Sequence, residues 1–426
     1  MDFNTHLTNN FSHEVAKKII ESLAMPRTHA LLLNTNKLTA QQFLKQFPEV
    51  IPHPITKNGY LFDRDKYEFG KHYLHDLGAY YLQEPSAMSV VSLLGIEQGD
   101  LILDLCAAPG GKTVQASLLL GESGIIIAND ISHSRALVLS QNIERMGLGN
   151  IIVTNNDFSN VYQSFENTFD RIILDAPCSG SGMFRKSDKM MNDWSINKVL
   201  SCQKEQQSLL QIAYKMLKPG GTLAYITCSF SKEENEDVVE SLLTSSNAFL
   251  VPPTYSGLYS SLHLKDTNYF LPFSFHGEGH FLALIKKPGF HSVTIYGKNS
   301  YQNNRRELLE KYGLEKRNNL EINGTLYSLP YSFYYKNLNV LRYGVRCFDD
   351  VAKNSKPHHH LARFLSSEKS IALNYEEFTQ YLAGEVIKRE SPNGYHVVCF
   401  NQINVGWVKA SNGALKNLLP KGLRRR

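Results

Sequence analysis

Two cysteines in this 426-residue chain stand where thiol chemistry would need them. Cys178 follows Ile173-Leu174-Asp175-Ala176-Pro177 and leads into Ser179-Gly180-Ser181-Gly182, while Cys228 follows Leu223-Ala224-Tyr225-Ile226-Thr227 and leads into Ser229. Each ends a short apolar run that reads as a strand, and in an open α/β sheet ligands sit at the carboxyl ends of strands. The two thiols are therefore expected to face one pocket, where a thiolate can act as a covalent nucleophile. Ser231-Lys232-Glu233-Glu234 fits a capping box, which would place Cys228 just before a helix N-terminus, a setting that favours reactive thiols. Cys202 and Cys399 read instead as small buried hydrophobes.

A second constellation lies upstream. Leu101-Ile102-Leu103-Asp104-Leu105 runs directly into Cys106-Ala107-Ala108-Pro109-Gly110-Gly111-Lys112-Thr113 and then a helical pattern. Small residues and glycines at a helix start let backbone N–H groups approach a ligand closely. Gly111-Lys112-Thr113 resembles the end of a phosphate loop, but Cys106 occupies the place of the opening glycine, which disfavours a nucleotide triphosphatase. Asp130 ends the next strand, about 20 residues on, where a carboxylate can reach ribose hydroxyls. Asp157 follows the third strand and Asp175 ends the fourth. Three carboxylates at successive strand ends suit a positively charged adenosine ligand, and the sulfonium of S-adenosylmethionine fits better than the diphosphate of NAD.

The elements that must position these groups alternate. Strands are expected at Leu101–Leu105, Ile125–Asn129, Ile151–Thr154, Arg171–Leu174, Thr222–Thr227 and Phe281–Lys286, with helices near 112–120, 133–146 and 203–217, a pattern that means a mostly parallel sheet. Before it, residues 1–75 read as a small α+β module: a helix after Ser12, a strand at Ala30–Thr35, a helix opening Thr39-x-x-Gln42 and a strand at Gly59–Phe62. Pro85 is placed to begin a helix that runs to Leu94. Residues 76–288 form the central domain. Residues 289–426 combine a polar linker, about 290–307, with a β-rich module whose strands are expected at Leu338–Val345, Val397–Phe400 and Val405–Lys409, beside a helix near His358–Ser366.

Composition narrows the classes. With 42% hydrophobic and 20% charged residues, the chain is that of a folded protein. No apolar run is long enough for a membrane span, and the first residues lack a signal-peptide pattern, so a cytoplasmic location without a membrane partner is expected. Six scattered cysteines show neither a disulfide framework nor zinc spacing, and three adjacent histidines, His358, His359 and His360, cannot all face one ion from a regular element. No metal is expected. The net charge is +5, yet residues 352–426 hold 12 lysines and arginines against 5 acids, a local balance of +7 that leaves −2 for the rest. That end, with Trp407, Lys416, Lys421, Arg424, Arg425 and Arg426, suits a phosphate backbone.

The Cys106–Thr113 loop, Asp175-Ala176-Pro177-Cys178-Ser179-Gly180 and Thr227-Cys228-Ser229 together resemble the signature set of the Nol/Nop/Sun family of RNA cytosine-5 methyltransferases, over about residues 30–287. Gln83-Glu84-Pro85-Ser86-Ala87-Met88 and Gly277-Glu278-Gly279-His280-Phe281 resemble its flanking motifs. Gly406-Trp407-Val408-Lys409 with Lys416-Asn417 resembles the PUA-like RNA-binding domain of its RsmF-like branch, and no helical NusB-like domain precedes the core as in the RsmB branch. The resemblance implies a Rossmann-like class I methyltransferase core, flanked by an N-terminal α+β RNA-binding module and a PUA-like C-terminal module. It implies methyl transfer from S-adenosylmethionine to cytidine C5 in RNA, with Cys228 attacking C6, Cys178 assisting product release and Asp175 contacting the base; DNA cytosine-5 enzymes attack from the Pro-Cys position instead. The expected cofactor set is Cys106, Ala107, Ala108, Pro109, Gly110, Gly111, Lys112, Asp130, Arg135, Asp157 and Asp175. The expected partner is ribosomal RNA or the small ribosomal subunit, met by a monomer. Transfer RNA is the alternative substrate, and a non-catalytic RNA-binding ribosome-assembly factor is the alternative class, against which the intact Cys178, Cys228 and Asp175 count.

Overall fold

The aliphatic runs form a parallel sheet because helices bury both of its faces. The computed structural model describes residues 2–186, 188–290, 305–333, 338–351 and 355–425; the expected linker therefore lies almost wholly outside the described residues. The N-terminal part contains helices α1 (Phe3–Asn10) and α2 (His13–Leu23), strand β1 (His29–Leu33), helix α3 (Ala40–Gln46), and strands β2 (Ile51–Pro52), β3 (Gly59–Phe62) and β4 (Tyr80–Gln83). The central part runs α4 (Pro85–Leu93), β5 (Leu101–Asp104), α5 (Gly111–Leu120), β6 (Ile125–Asn129), α6 (His133–Met146), β7 (Ile151–Thr154), β8 (Phe169–Asp175), α7 (Ile196–Met216), β9 (Leu217–Thr227), α8 (Glu236–Ser245) and β10 (His280–Lys286).

In the central sheet β9, β8, β5, β6 and β7 lie side by side in that order and all parallel. The chain moves outward from β5 to β7, then returns to place β8 on the other flank of β5, so the order reverses between β5 and β8. A ligand crevice opens at such a reversal. Strand alternation splits the interior into two layers: Leu101, Leu103, Ile125, Ile127, Ile172 and Leu174 belong to one apolar cluster, and Ile102, Ile126, Ala128 and Ile173 to the other. Each fully buried aliphatic side chain contributes about 1.5–3 kcal/mol. This is the Rossmann-like core expected from the sequence.

The four-stranded N-terminal sheet has the order β2-β3-β1-β4, so it takes in Tyr80–Gln83, beyond the division expected at residue 75. The Thr39/Gln42 capping box is present, and Pro85 stands in the first turn of α4. Helix α1 was not legible as an element. It leaves this sheet and lies on the central domain, where the Phe3 ring meets Phe184 at 4.8 Å and Trp194 at 5.2 Å.

The C-terminal part departs most from expectation. Leu338–Val345 is not one strand: Val340–Tyr343, β11, joins the central sheet antiparallel to β7, and Val345–Asp349 belongs to a separate sheet. The chain turns at Gly344, whose φ is +51°. A five-stranded sheet containing Gly394–Phe400 and Ile403–Ser411 completes the module, and it shares an apolar cluster with the N-terminal sheet through Leu31, Phe43, Tyr80, Phe378 and Phe400. Trp407 is buried, donating its indole N–H to the His358 carbonyl at 2.9 Å, so it is a core residue and not part of a basic surface. Arg425 is tied to Asp76. The histidine run is a joint: His358 caps helix α9 (His359–Phe364), and His360 meets the Leu148 carbonyl at 3.0 Å and Arg342 at 2.6 Å. No helix among the described residues is long and apolar enough to cross a membrane.

Arg342 pins that joint, donating to Ser140 Oγ at 2.8 Å and Glu144 Oε2 at 2.6 Å on α6. Replacing it with leucine leaves the buried Ser140 hydroxyl and the half-buried Glu144 carboxylate unmatched, and Arg342→Leu is expected to destabilise the chain by about 2 kcal/mol. A lowered urea midpoint at unchanged slope measures this; an unchanged midpoint would rule out the joint's role.

Candidate active site

Strands β5 and β8 deliver Asp104 and Asp175 to one crevice of about 310 Å³, lined by the Cys106–Pro109 loop, Gly111, Lys112, Glu84, Cys228 and His280 among others. The loop follows β5 and enters α5 through Gly110, whose φ is +117° and where a Cβ would lie 2.9 Å from Leu139 Cδ1, so only glycine fits without displacement. Arg135, on α6, staples the loop in place. It donates to the Ala108 carbonyl at 2.8 Å and lies 3.3 Å from Asp130 Oδ2.

The crevice is rich in carboxylates with one buried cation among them. Lys112 Nζ donates to Asp175 Oδ2 at 2.7 Å. Burial acts against its charge, but Asp175 first and then Asp104 and the Cys228 sulfur raise its pKa above the ordinary lysine value. Asp104 is fully buried; it accepts from Thr113 Oγ1 at 2.6 Å through Oδ2, while Oδ1 has no hydrogen-bond partner among the described residues. Burial pushes its carboxyl up to about 7, with Asp175 and Asp130 adding to the rise and the Thr113 bond and Lys112 opposing it. An orphaned carboxylate oxygen in a negatively charged crevice is what a cationic ligand requires. The residues present therefore fit S-adenosylmethionine, whose ammonium and sulfonium are both positive. The Cys106 thiol, pushed well up by burial and by Asp104, Asp175 and Asp130, stays neutral and is a wall rather than a nucleophile.

At the other end of the crevice the turns after β8 and β9 bring Cys178 Sγ to 3.0 Å from Cys228 Sγ. The turns interlock: the Gly182 N–H donates to the Cys228 carbonyl at 2.8 Å, and the Phe230 N–H to Ser181 Oγ at 2.8 Å. A Cβ at Gly182 would come within 2.5 Å of the Gly279 carbonyl oxygen, so this close approach also needs glycine. The neighbouring Cys228 sulfur, burial and Glu234 together push the Cys178 thiol well above its usual range. The Cys178 thiol is thereby kept protonated within hydrogen-bond reach of its neighbour.

The capping box expected at Ser231 does not form. Lys232–Glu234 is a single 3-10 turn with no side-chain cap, and α8 begins only at Glu236. Ser231 Oγ is engaged instead with His6 Nε2 of α1 at 3.0 Å, and the Glu234 carboxylate faces the cysteine turns, because both side chains find buried partners stronger than a local cap. Asp157 likewise stands apart. It is exposed and accepts from the Ser159 N–H at 2.9 Å, capping a turn outside the residues that line the crevice. Asp104, Glu84 and His280, outside the expected catalytic and cofactor sets, also line the site. Asp104 could have been suspected as a carboxylate ending the first strand, as Asp130 and Asp175 were at theirs. The two flanking motifs meet: Glu84 accepts the Glu278 N–H at 2.7 Å, His280 Nδ1 contacts Ser86 Oγ at 2.7 Å, and Glu278 holds Arg185 at 2.9 Å and Arg27 at 3.1 Å.

Known proteins resemble this chain along most of its length. The family model described as 16S rRNA methyltransferase RsmB/F matches residues 91–286, the N-terminal domain of 16S rRNA methyltransferase RsmF matches 1–85, and the methyltransferase RsmF PUA domain matches 368–425. The Ribosomal RNA small subunit methyltransferase F of Shewanella piezotolerans is 29% identical across 99% of this chain and 97% of its own length. The protein of the same name from Aeromonas salmonicida is 33% identical across 69% of this chain and 66% of its own. A solved methyltransferase homologue from Pyrococcus horikoshii aligns at 28% identity with a TM-score of 0.59, over 66% of this chain and 93% of that one.

If Asp104 must be ionised to receive a cationic ligand, a carboxyl at about 7 makes affinity fall as pH drops through neutrality. S-adenosylmethionine is expected to bind roughly eightfold more tightly at pH 7.5 than at pH 6, in proportion to the ionised fraction. Asp104→Asn should flatten that profile in calorimetry, and a wild-type affinity independent of pH would exclude the role.

Proposed function

Because the chain belongs to the RsmB/F family of 16S rRNA methyltransferases, we propose that it methylates C5 of a cytidine in small-subunit ribosomal RNA through a covalent bond between Cys228 and C6 of the base. The observation that carries this reading is the pair of sulfurs 3.0 Å apart beside the Lys112–Asp175 ion pair. S-adenosylmethionine would be held by the Cys106–Lys112 loop, Asp104 and Asp175, with Asp130 nearby, and would supply the methyl group.

Cytosine C5 is a poor nucleophile until a thiolate adds to C6. The C6–S bond then moves the former double-bond electrons onto C5, which takes the methyl group. Loss of the C5 proton restores the double bond, and the C6–S bond breaks with the electron pair returning to Cys228. Cys178 serves this last step. Its thiol, 3.0 Å from the Cys228 sulfur, donates to the departing thiolate and stabilises it. Lys112 places positive charge near the same sulfur.

Asp175 supports the choice of base. A carboxylate accepts hydrogen bonds, and cytosine offers its N4 amino group where uracil presents an oxygen. The target must leave its helix or lie in an unpaired segment to reach a crevice of this depth. The basic C-terminal module is suited to backbone contacts with folded RNA.

Two substitutions test the reading. Incubated with small-subunit RNA and S-adenosylmethionine, Cys178→Ala is expected to accumulate a covalent protein–RNA complex on a denaturing gel. Cys228→Ala should form none and lose on the order of 10³-fold or more of methyl transfer. Methyl transfer surviving in Cys228→Ala would sink the covalent route.

A further inference from the structure

Glu234 is a buried carboxylate that carries no role in the chemistry described so far, and burying it costs free energy unless its oxygens are matched. Four donors converge on it. Oε1 accepts the Ser179 N–H at 2.7 Å and Gln206 Nε2 at 3.2 Å; Oε2 accepts Ser179 Oγ and Ser229 Oγ, each at 2.5 Å. These donors are a backbone amide, two hydroxyls and a side-chain amide, so the carboxylate is satisfied without a cation directly bonded to it.

The two serines are the residues that immediately follow Cys178 and Cys228. One side chain therefore ties together the turns that carry both sulfurs, and it does so directly behind them. The turns are also linked by the Gly182 N–H to the Cys228 carbonyl, by the Phe230 N–H to Ser181 Oγ, and by a 3.3 Å contact between the Ser179 and Ser229 hydroxyls, which Glu234 Oε2 holds side by side. Only Glu234, among the links described, joins the successor of each cysteine to the same atom, Oε2. The distance between the sulfurs depends on the relative angle of the two turns, and that angle is what a shared acceptor fixes.

We propose that Glu234 is a positioning residue for the thiol pair, holding the Cys178 S–H against the Cys228 sulfur so that the departing thiolate meets its donor. The proposal rests on the covalent reading above. Loss of the tie leaves Cys228 able to attack, because attack needs only its own sulfur, but slows its departure. The signature is a release defect in a protein whose two cysteines are both intact.

Glu234→Gln preserves shape while replacing one acceptor oxygen with an amide, and Ser229→Ala removes one strut from the opposite side without touching the buried carboxylate. In the full chain, both are expected to keep the KM for S-adenosylmethionine within about twofold, since the cofactor loop follows a different strand, and to lower kcat by on the order of 10- to 100-fold, the scale of an ångström-level misplacement. Both should also accumulate the covalent RNA complex. A purely structural role would raise KM along with the fall in kcat and leave no complex, and that result, or an unchanged kcat, overturns the proposal. Cys178→Ala is run beside them. A complex with Cys178→Ala but with neither Glu234→Gln nor Ser229→Ala overturns the positioning role alone, whereas no complex from any of the three overturns the covalent reading and this proposal with it.

Discussion

Neighbouring parallel strands lie about 4.8 Å apart and end on the same edge of the sheet. Two side chains placed just beyond adjacent ends must then share a small volume, and whatever polar groups the turns expose must be matched there. In this protein the adjacent strands are β8 and β9, the side chains are Cys178 and Cys228, and the matching is done largely by buried carboxyl, hydroxyl and amide groups. Much else follows from this closeness. Gly182 admits the neighbouring backbone, the Gly279 turn packs on it, and helix α1 covers the outside through His6 and Ser231.

The two ends of the crevice are electrically different. Around β5 the carboxylates of Asp104, Asp130 and Asp175 gather near one another, with Lys112 buried among them and Arg135 at the rim. Around the thiols one carboxylate, Glu234, is matched by hydroxyls and amides. One end is thus suited to a cationic donor and the other to a neutral acceptor, and Lys112 with Asp175 spans the boundary. The separation needs no moving part.

The central sheet was legible because its strands are continuous aliphatic runs punctuated by helices with plain periodicity; Ile125–Asn129 and His133–Met146 fall where the pattern puts them. The loop and both cysteines were legible for a related reason, since glycine, proline and serine clusters mark strand ends. What the sequence hides is competition between local and distant partners. Ser231 and Glu234 have the spacing of a cap, but His6, 225 residues away, and Ser179, 55 residues away, win them. Leu338–Val345 is one apolar run, yet Gly344 divides it between two sheets. Trp407 lies among basic residues in sequence but points inward. Asp157 shares its strand-end position with Asp130 and Asp175, but the turn after β7 points it outward.

The strand β11 has a bearing on how the molecule comes into being. Without it β7 would be the outer edge of the central sheet, with a row of unsatisfied amides and carbonyls open to any other extended chain. The segment that covers that edge is separated from β7 by some 185 residues of intervening sequence. During synthesis the central domain therefore emerges with one flank unprotected, and it stays so until residues 340–343 have left the ribosome. The C-terminal part is in this respect a seal on the enzyme's core, and cutting the chain between the two would trade a binding module for an aggregation-prone edge.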